Sequence, residues 1–157
     1  TLENRLTLTM FKQILDLVYM EKVREDEGGT YGVQTSAQIS SFPEGRTVLQ
    51  TYFDTDPAKR AQMNSIVHNE LKRIAETGPR PEDFNKTKEN LLKKHAEALQ
   101  ENSYWLNTID TYYFKKRDDH STYDATLNAI TPASIQNLAK ALLKQGNTVE
   151  VVMEPSH

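Results

Sequence analysis

The sequence predicts an α+β domain in which helices cover one face of a largely antiparallel sheet. Three observations carry that expectation. Leu8, Phe11, Leu15 and Val18 recur at helical spacing near the start of the chain. Two β-rich runs joined by a turn cluster follow them. Several helical segments and a last β-rich run then complete the 157 residues.

The elements follow in order. Met10, Ile14 and Leu17 widen the first apolar stripe, so the opening helix is expected over 2–24. Gly28 and Gly29 supply the backbone freedom that stops it. Val33, Thr35, Ala37 and Ile39 alternate with Gln34, Ser36 and Gln38, the pattern of a strand with one wet face. A turn cluster, Ser40-Ser41-Phe42-Pro43-Glu44-Gly45, leads into a β-rich run over 46–53 that completes a hairpin. Asp56-Pro57 starts the next helix, with the acid as N-cap and the proline at the first helical position. That helix ends at Thr77-Gly78-Pro79, and Pro81-Glu82-Asp83 starts another. Asn102-Ser103 opens a further helix that stacks Trp105, Ile109 and Tyr113 at four-residue intervals. A short helix over 123–129, a helix begun by Thr131-Pro132 and a closing strand over 148–153 end the pattern. No repeat or long linker divides it, so 1–157 reads as one domain. Three strands are few for this many helices. Thr1-Leu2-Glu3 already lies inside a helical pattern, and the expectation is a piece of a longer protein that lacks its N-terminal strands.

Composition narrows the function. A formal net charge of -3 makes no electrostatic case for nucleic acid, and the basic run Lys115-Lys116-Arg117 reads as solvated. No apolar run reaches membrane-spanning length. There is no cysteine, which removes disulfides and thiolate chemistry. No serine lies in a Gly-x-Ser-x-Gly elbow, and Gly28-Gly29 has no accompanying phosphate-loop lysine. His68, His95, His120 and His157 form neither His-Glu-x-x-His nor His-x-x-Glu-His. The expectation for His68 and His95 is therefore a place on the polar face of a helix, with no metal ligand in this chain.

The most informative stretch is Arg24-Glu25-Asp26-Glu27-Gly28-Gly29-Thr30-Tyr31-Gly32-Val33. Three acids at a helix C-terminus oppose the macrodipole, so something other than helix stability keeps them there. Taken alone, Arg24 reads as a helix-end cation favourable to the dipole, and Tyr31 as a residue packing at a strand start. A family resemblance reverses that weighting. Helix, Arg-Glu-x-x-Gly-x-x-Tyr, strand and hairpin resemble the C-terminal half of the pitrilysin-like M16 (inverted-zincin) metallopeptidases. Arg24, Glu25, Gly28 and Tyr31 occupy the pattern. The strand into Asp56-Pro57, the break at Gly78-Pro79, the aromatic Asn102-Ser103-Tyr104-Trp105-Leu106 and the helix from Thr131-Pro132 resemble it more softly.

The resemblance implies a fold of the LuxS/MPP-like metallohydrolase type and a non-zinc-binding half of a zinc metalloendopeptidase. Its zinc and general base would lie in an N-terminal half, on the same chain or on a partner subunit. This half would line a chamber for peptide substrate. Arg24 and Tyr31 would reach the composite site, where a guanidinium and a phenol are suitable donors to a developing oxyanion or to substrate backbone. A bacterial parent, periplasmic or cytoplasmic, goes with it. The other reading is an inactive half that serves as a binding or scaffold subunit. Alone, the chain is expected to be inactive and to self-associate through a strand edge or the apolar face of its first helix. Of its aromatics, Trp105 and Tyr113 are expected in the core, with Tyr104 or Tyr112 facing the chamber or a neighbouring domain.

Overall fold

Residues 2–25 contain neither proline nor glycine, and in the computed structural model they form one uninterrupted helix, α1 (Leu2–Glu25). The structure describes residues 1–25 and 30–153, and of residues 23–25, 30 and 31 the backbone alone. β1 (Thr30–Ser40) and β2 (Arg46–Thr55) form an antiparallel hairpin. A 3₁₀ turn (Pro57–Lys59) leads into α2 (Arg60–Thr77). Four helices follow: α3 (Pro81–Ala98), α4 (Asn102–Lys115), α5 (Tyr123–Ala129) and α6 (Pro132–Gln145).

α1 is the axis of the core. Leu6, Leu8, Met10, Phe11, Ile14, Leu15, Val18 and Tyr19 are all buried. These positions run round most of the helix, because β1 covers one flank while α2, α3, α5 and α6 cover the others. Full burial of one such side chain contributes about 1.5–3 kcal/mol. Tyr19 also donates its hydroxyl to the Val67 carbonyl at 3.2 Å, tying α1 to α2. The apolar side chains of α1 from Leu6 to Tyr19 that are buried are thus taken up by the core of this chain.

The hairpin obeys the alternation read from the sequence. Val33, Ala37, Ile39 and Leu49 pack towards the core, and Thr35 is buried among them. Gln34, Ser36, Gln38, Val48 and Tyr52 face outward. Asp16 on α1 accepts the Thr35 backbone N–H at 3.1 Å and pairs with Lys12 at 2.6 Å. A carboxylate of the core helix therefore satisfies a β1 donor.

Local signals set the helix boundaries. Asp56 accepts the Ala58 N–H at 2.9 Å and opens the 3₁₀ turn. Gly78 ends α2 at φ 81°, a conformation that favours glycine. Pro81 begins α3, and Glu82 and Asp83 lie in its first turn, where acids suit the dipole. Thr131 and Ser134 form a reciprocal capping box on α6, and Gly146 closes it at φ 66°.

Three sequence expectations are corrected. Among the described residues β1 and β2 form the whole sheet, and 148–153 is not a strand. Val149, Val151 and Met153 are exposed, and Glu150 is held by Asn64 at 2.9 Å. β-propensity makes a strand only where an edge is available to pair with, and this segment meets none. Trp105 and Tyr113 are exposed rather than core, because among the described residues no other helix or strand packs closely against α4. His95 is buried rather than solvated, because α4 and α5 close over the end of α3 and give both its ring nitrogens partners.

Candidate functional site at the end of the first helix

Arg24 belongs to the last turn of α1, and Tyr31 is the second residue of β1. Helix and strand thus approach the turn from the two directions the sequence indicates. Asp26, Glu27, Gly28 and Gly29 lie outside the described residues, as do the side chains of Arg24 and Tyr31.

The backbone around Tyr31 is irregular. Thr30 pairs with Thr55, but Val33 pairs with Phe53, so β1 accommodates one residue more than β2 between those pairs. A bulge of this kind bends its strand and re-aims local side chains. Tyr31 and Gly32 are the residues it involves. On β2, Tyr52 donates its hydroxyl to the Asp54 carboxylate at 2.6 Å. That bond to an anion holds the Tyr52 phenol above its ordinary pKa.

The other wall is built from charges. Glu21 precedes Arg24 by one turn. Arg80, just before α3, grips the Glu21 carboxylate with two guanidinium nitrogens, at 2.9 and 2.5 Å. The same guanidinium donates to Asp83 at 2.6 Å. This fork geometry suits arginine and gives stronger, more directional bonds than a lysine would. Asp83 is buried, so its charge depends on Arg80 for compensation. Arg80 in turn holds the Glu21 carboxyl below the usual carboxylate range, chiefly through the hydrogen bonds between them. A second pair, Arg73 with Glu70 at 2.6 Å, lies beside it on α2. Val18, Glu21, Lys22, Glu70, Arg73 and Arg80 line an open cleft of about 230 Å³ against the last turns of α1.

The effect is mechanical. The last described turns of α1 are clamped to α2 and α3 through side chains, so the helix end has a fixed direction. Sequence reasoning singled out Arg24 and Tyr31 but missed the clamp. Arg80 directly before Pro81, with an acid three residues later, was the available signal. Nothing in the sequence showed that Glu21 would meet it.

No group of three or more histidines, aspartates and glutamates among the described residues is arranged to hold a metal ion. No helix among the described residues is long and apolar enough to cross a membrane.

Comparison with known proteins supplies the context. The family described as "Peptidase M16 inactive domain" matches residues 1–91. A "Zinc protease PQQL-like" protein from Arabidopsis thaliana is 24% identical over 102 residues, which are 62% of this chain and 11% of that protein. The periplasmic protease PqqL from Escherichia coli superposes with a TM-score of 0.72 at 16% identity, over 88% of this chain and 15% of PqqL. A peptidase M16 inactive domain from Pseudomonas fluorescens superposes with a TM-score of 0.71 at 14% identity, over 88% of this chain and 34% of that one. At these identities the superpositions establish the fold. The chain spans about a ninth of the curated relative's length.

Proposed function

The chain belongs to the M16 peptidase inactive-domain family, and on that premise we propose that it is the non-zinc-binding half of a zinc metalloendopeptidase. In this reading 1–157 is a single C-terminal-type domain that lines a peptide chamber. Zinc and its ligands reside in the N-terminal half, on the same polypeptide or on a partner subunit. Arg24 and Tyr31 complete the site from this side. Arg24 donates to the substrate carbonyl or the neighbouring backbone as negative charge develops, and Tyr31 adds a second donor.

The observation that carries the reading is the clamp. Arg80 fixes Glu21 one turn before Arg24. A donor acts on a developing charge only when it is already oriented, since reorganisation during reaction cancels the gain. The slip in register at Tyr31 supports the same reading from the strand side.

The test uses the assembled protease. Arg24→Ala and Tyr31→Phe should each lower kcat on an unfolded peptide by about a hundredfold, the usual effect of losing one such donor. Zinc content should not change. Turnover at the wild-type level in both variants would reduce the turn to a structural role. For the chain alone, the same reading has the hairpin edge mediating self-association, because β1 and β2 pair only with each other among the described residues. Light scattering that shows a monomer at high concentration would remove that part of it.

A further inference from the structure

α4 buries none of its side chains, yet its first turn has a fixed place. Polar contacts fix it. The Tyr104 hydroxyl lies between two imidazoles, 2.9 Å from His95 Nε2 and 2.8 Å from His120 Nδ1. His95 Nδ1 lies 2.8 Å from the Asp124 carboxylate on α5. Tyr123 stacks on the His95 ring at 3.8 Å between centroids. Trp105 donates its indole N–H to the Leu99 carbonyl at 2.9 Å and meets the His120 ring at 4.9 Å. A chain of four polar side chains thus joins α3, α4, α5 and the segment before α5.

Hydrogen counting shows what this chain tolerates. Asp124 as a carboxylate only accepts, so His95 Nδ1 carries a hydrogen. With His95 neutral, its Nε2 accepts from Tyr104, and His120 Nδ1 donates to the Tyr104 oxygen. One added proton leaves every link intact. It either rests on His120 Nε2, or it charges His95 and turns the Tyr104 hydrogen towards a neutral His120. A second added proton does not fit. Both imidazoles would then point N–H groups at one oxygen, and the Tyr104 hydrogen would lose its imidazole acceptor and have only the Thr108 hydroxyl beside it. Two cations would also face each other with ring centroids 6.3 Å apart.

We propose that the Asp124–His95–Tyr104–His120 chain is a proton-operated latch, closed with up to one added proton and released when both imidazoles are charged, that sets whether α4 is docked. The surroundings fit this role. Burial is the main cause that holds the Tyr104 phenol above its ordinary pKa, so its hydrogen stays available. Asp118, beside His120, accepts the Ser121 backbone N–H and hydroxyl at 3.0 and 2.7 Å and also the His120 backbone N–H, so its charge faces His120 as well. Asp119 is shared by Arg5 of α1 and by Arg117. Asp124 is the carboxylate that bonds an imidazole ring of the chain directly, and of the two imidazoles it meets His95. α4 buries no side chain, so once the chain opens the Trp105 bond to the Leu99 carbonyl is the named contact left at its first turn.

Imidazoles ordinarily change charge between pH 8 and 5. The test is amide hydrogen exchange of the full chain at those two pH values, corrected for intrinsic rates, with emission of the single Trp105 as a second readout. Release should speed exchange in α4 by at least about tenfold at pH 5 while α1 and α2 stay protected. Trp105 emission should change over the same pH range as the exchange of α4. His120→Asn cannot take up a proton, so its α4 should stay protected at both pH values. Tyr104→Phe removes the shared oxygen, so its α4 should exchange fast at both. Equal α4 protection at pH 8 and 5 in the wild type would overturn the proposal. So would loss of protection in α1 along with α4, or release of α4 in His120→Asn as in the wild type.

Discussion

α1 and α4 are both helices rich in large apolar residues, and they are used in opposite ways. α1 carries the core, with Phe11, Ile14 and Leu15 without exposure. α4 carries Trp105, Ile109, Tyr112, Tyr113 and Phe114 and buries none of them. Periodicity alone does not separate the two, since it reports an apolar face and is silent about what covers it. The difference lies in the neighbours. The hairpin and four helices surround α1, whereas α4 is attached by hydrogen bonds from its first turn. Burial makes α1 costly to alter, and attachment by polar bonds makes α4 sensitive to protons.

Substitutions that probe this contrast fall in a definite order. Phe11→Ala should be the most damaging, at about 3–5 kcal/mol, because the site is fully enclosed and cannot collapse. Urea denaturation followed by far-UV circular dichroism reads it. A loss under about 1 kcal/mol would deny α1 its place at the centre of the core.

Arg80→Met comes next. It leaves the buried Asp83 carboxylate without its partner, a desolvation cost of about 1–3 kcal/mol. It also changes the acid response. Glu21 has a lowered pKa in the folded chain. Its stabilising contribution is therefore complete above the ordinary carboxylate value and is lost as pH falls through the lowered one. The wild type should lose stability faster than Arg80→Met on acidification between about pH 5 and pH 3. Parallel urea midpoints for the two proteins over that range would remove Glu21 from the clamp.

Thr131→Ala should be smaller, about 1 kcal/mol, since it removes one capping bond at the start of α6. Restoring serine at that position should recover most of it. An unchanged urea midpoint would mean that packing of Ile135 and Ala139, not the cap, fixes the start of α6.

What was legible in the sequence follows the same division. α1, the hairpin, Asp56 at the 3₁₀ turn and the caps of α6 depend on residues near one another in the chain, and those signals were readable. The alternation Val33, Thr35, Ala37, Ile39 even gave the correct buried face. The errors all concern partners distant in sequence. Val149 and Val151 have strand propensity but no edge to join. Trp105 and Tyr113 have a helical stripe but no cover. His95 looked solvated because its partners, Tyr104, Asp124 and, through Tyr104, His120, come from separate segments. At the candidate site, Arg24 and Tyr31 stand out through a local pattern around a turn, and the role proposed for them rests on that pattern. The clamp behind them needs Glu21 to meet Arg80, 59 residues away, and no local pattern encodes that contact.

The smallest expected effect is the most discriminating. Phe114→Ala removes the same side chain as Phe11→Ala, but from a position that is 82% exposed. It leaves no cavity, and exposed substitutions of this kind change stability by less than about 0.5 kcal/mol. The sign should be neutral to slightly favourable, because alanine has the higher helix propensity and Phe114 lies within α4. Urea midpoints of the two variants, measured side by side, set the burial of the two helices on one scale. A loss above about 1 kcal/mol at Phe114 would require atoms packed against it in solution. α4 would then be a covered helix like α1, and the contrast between the two would fail.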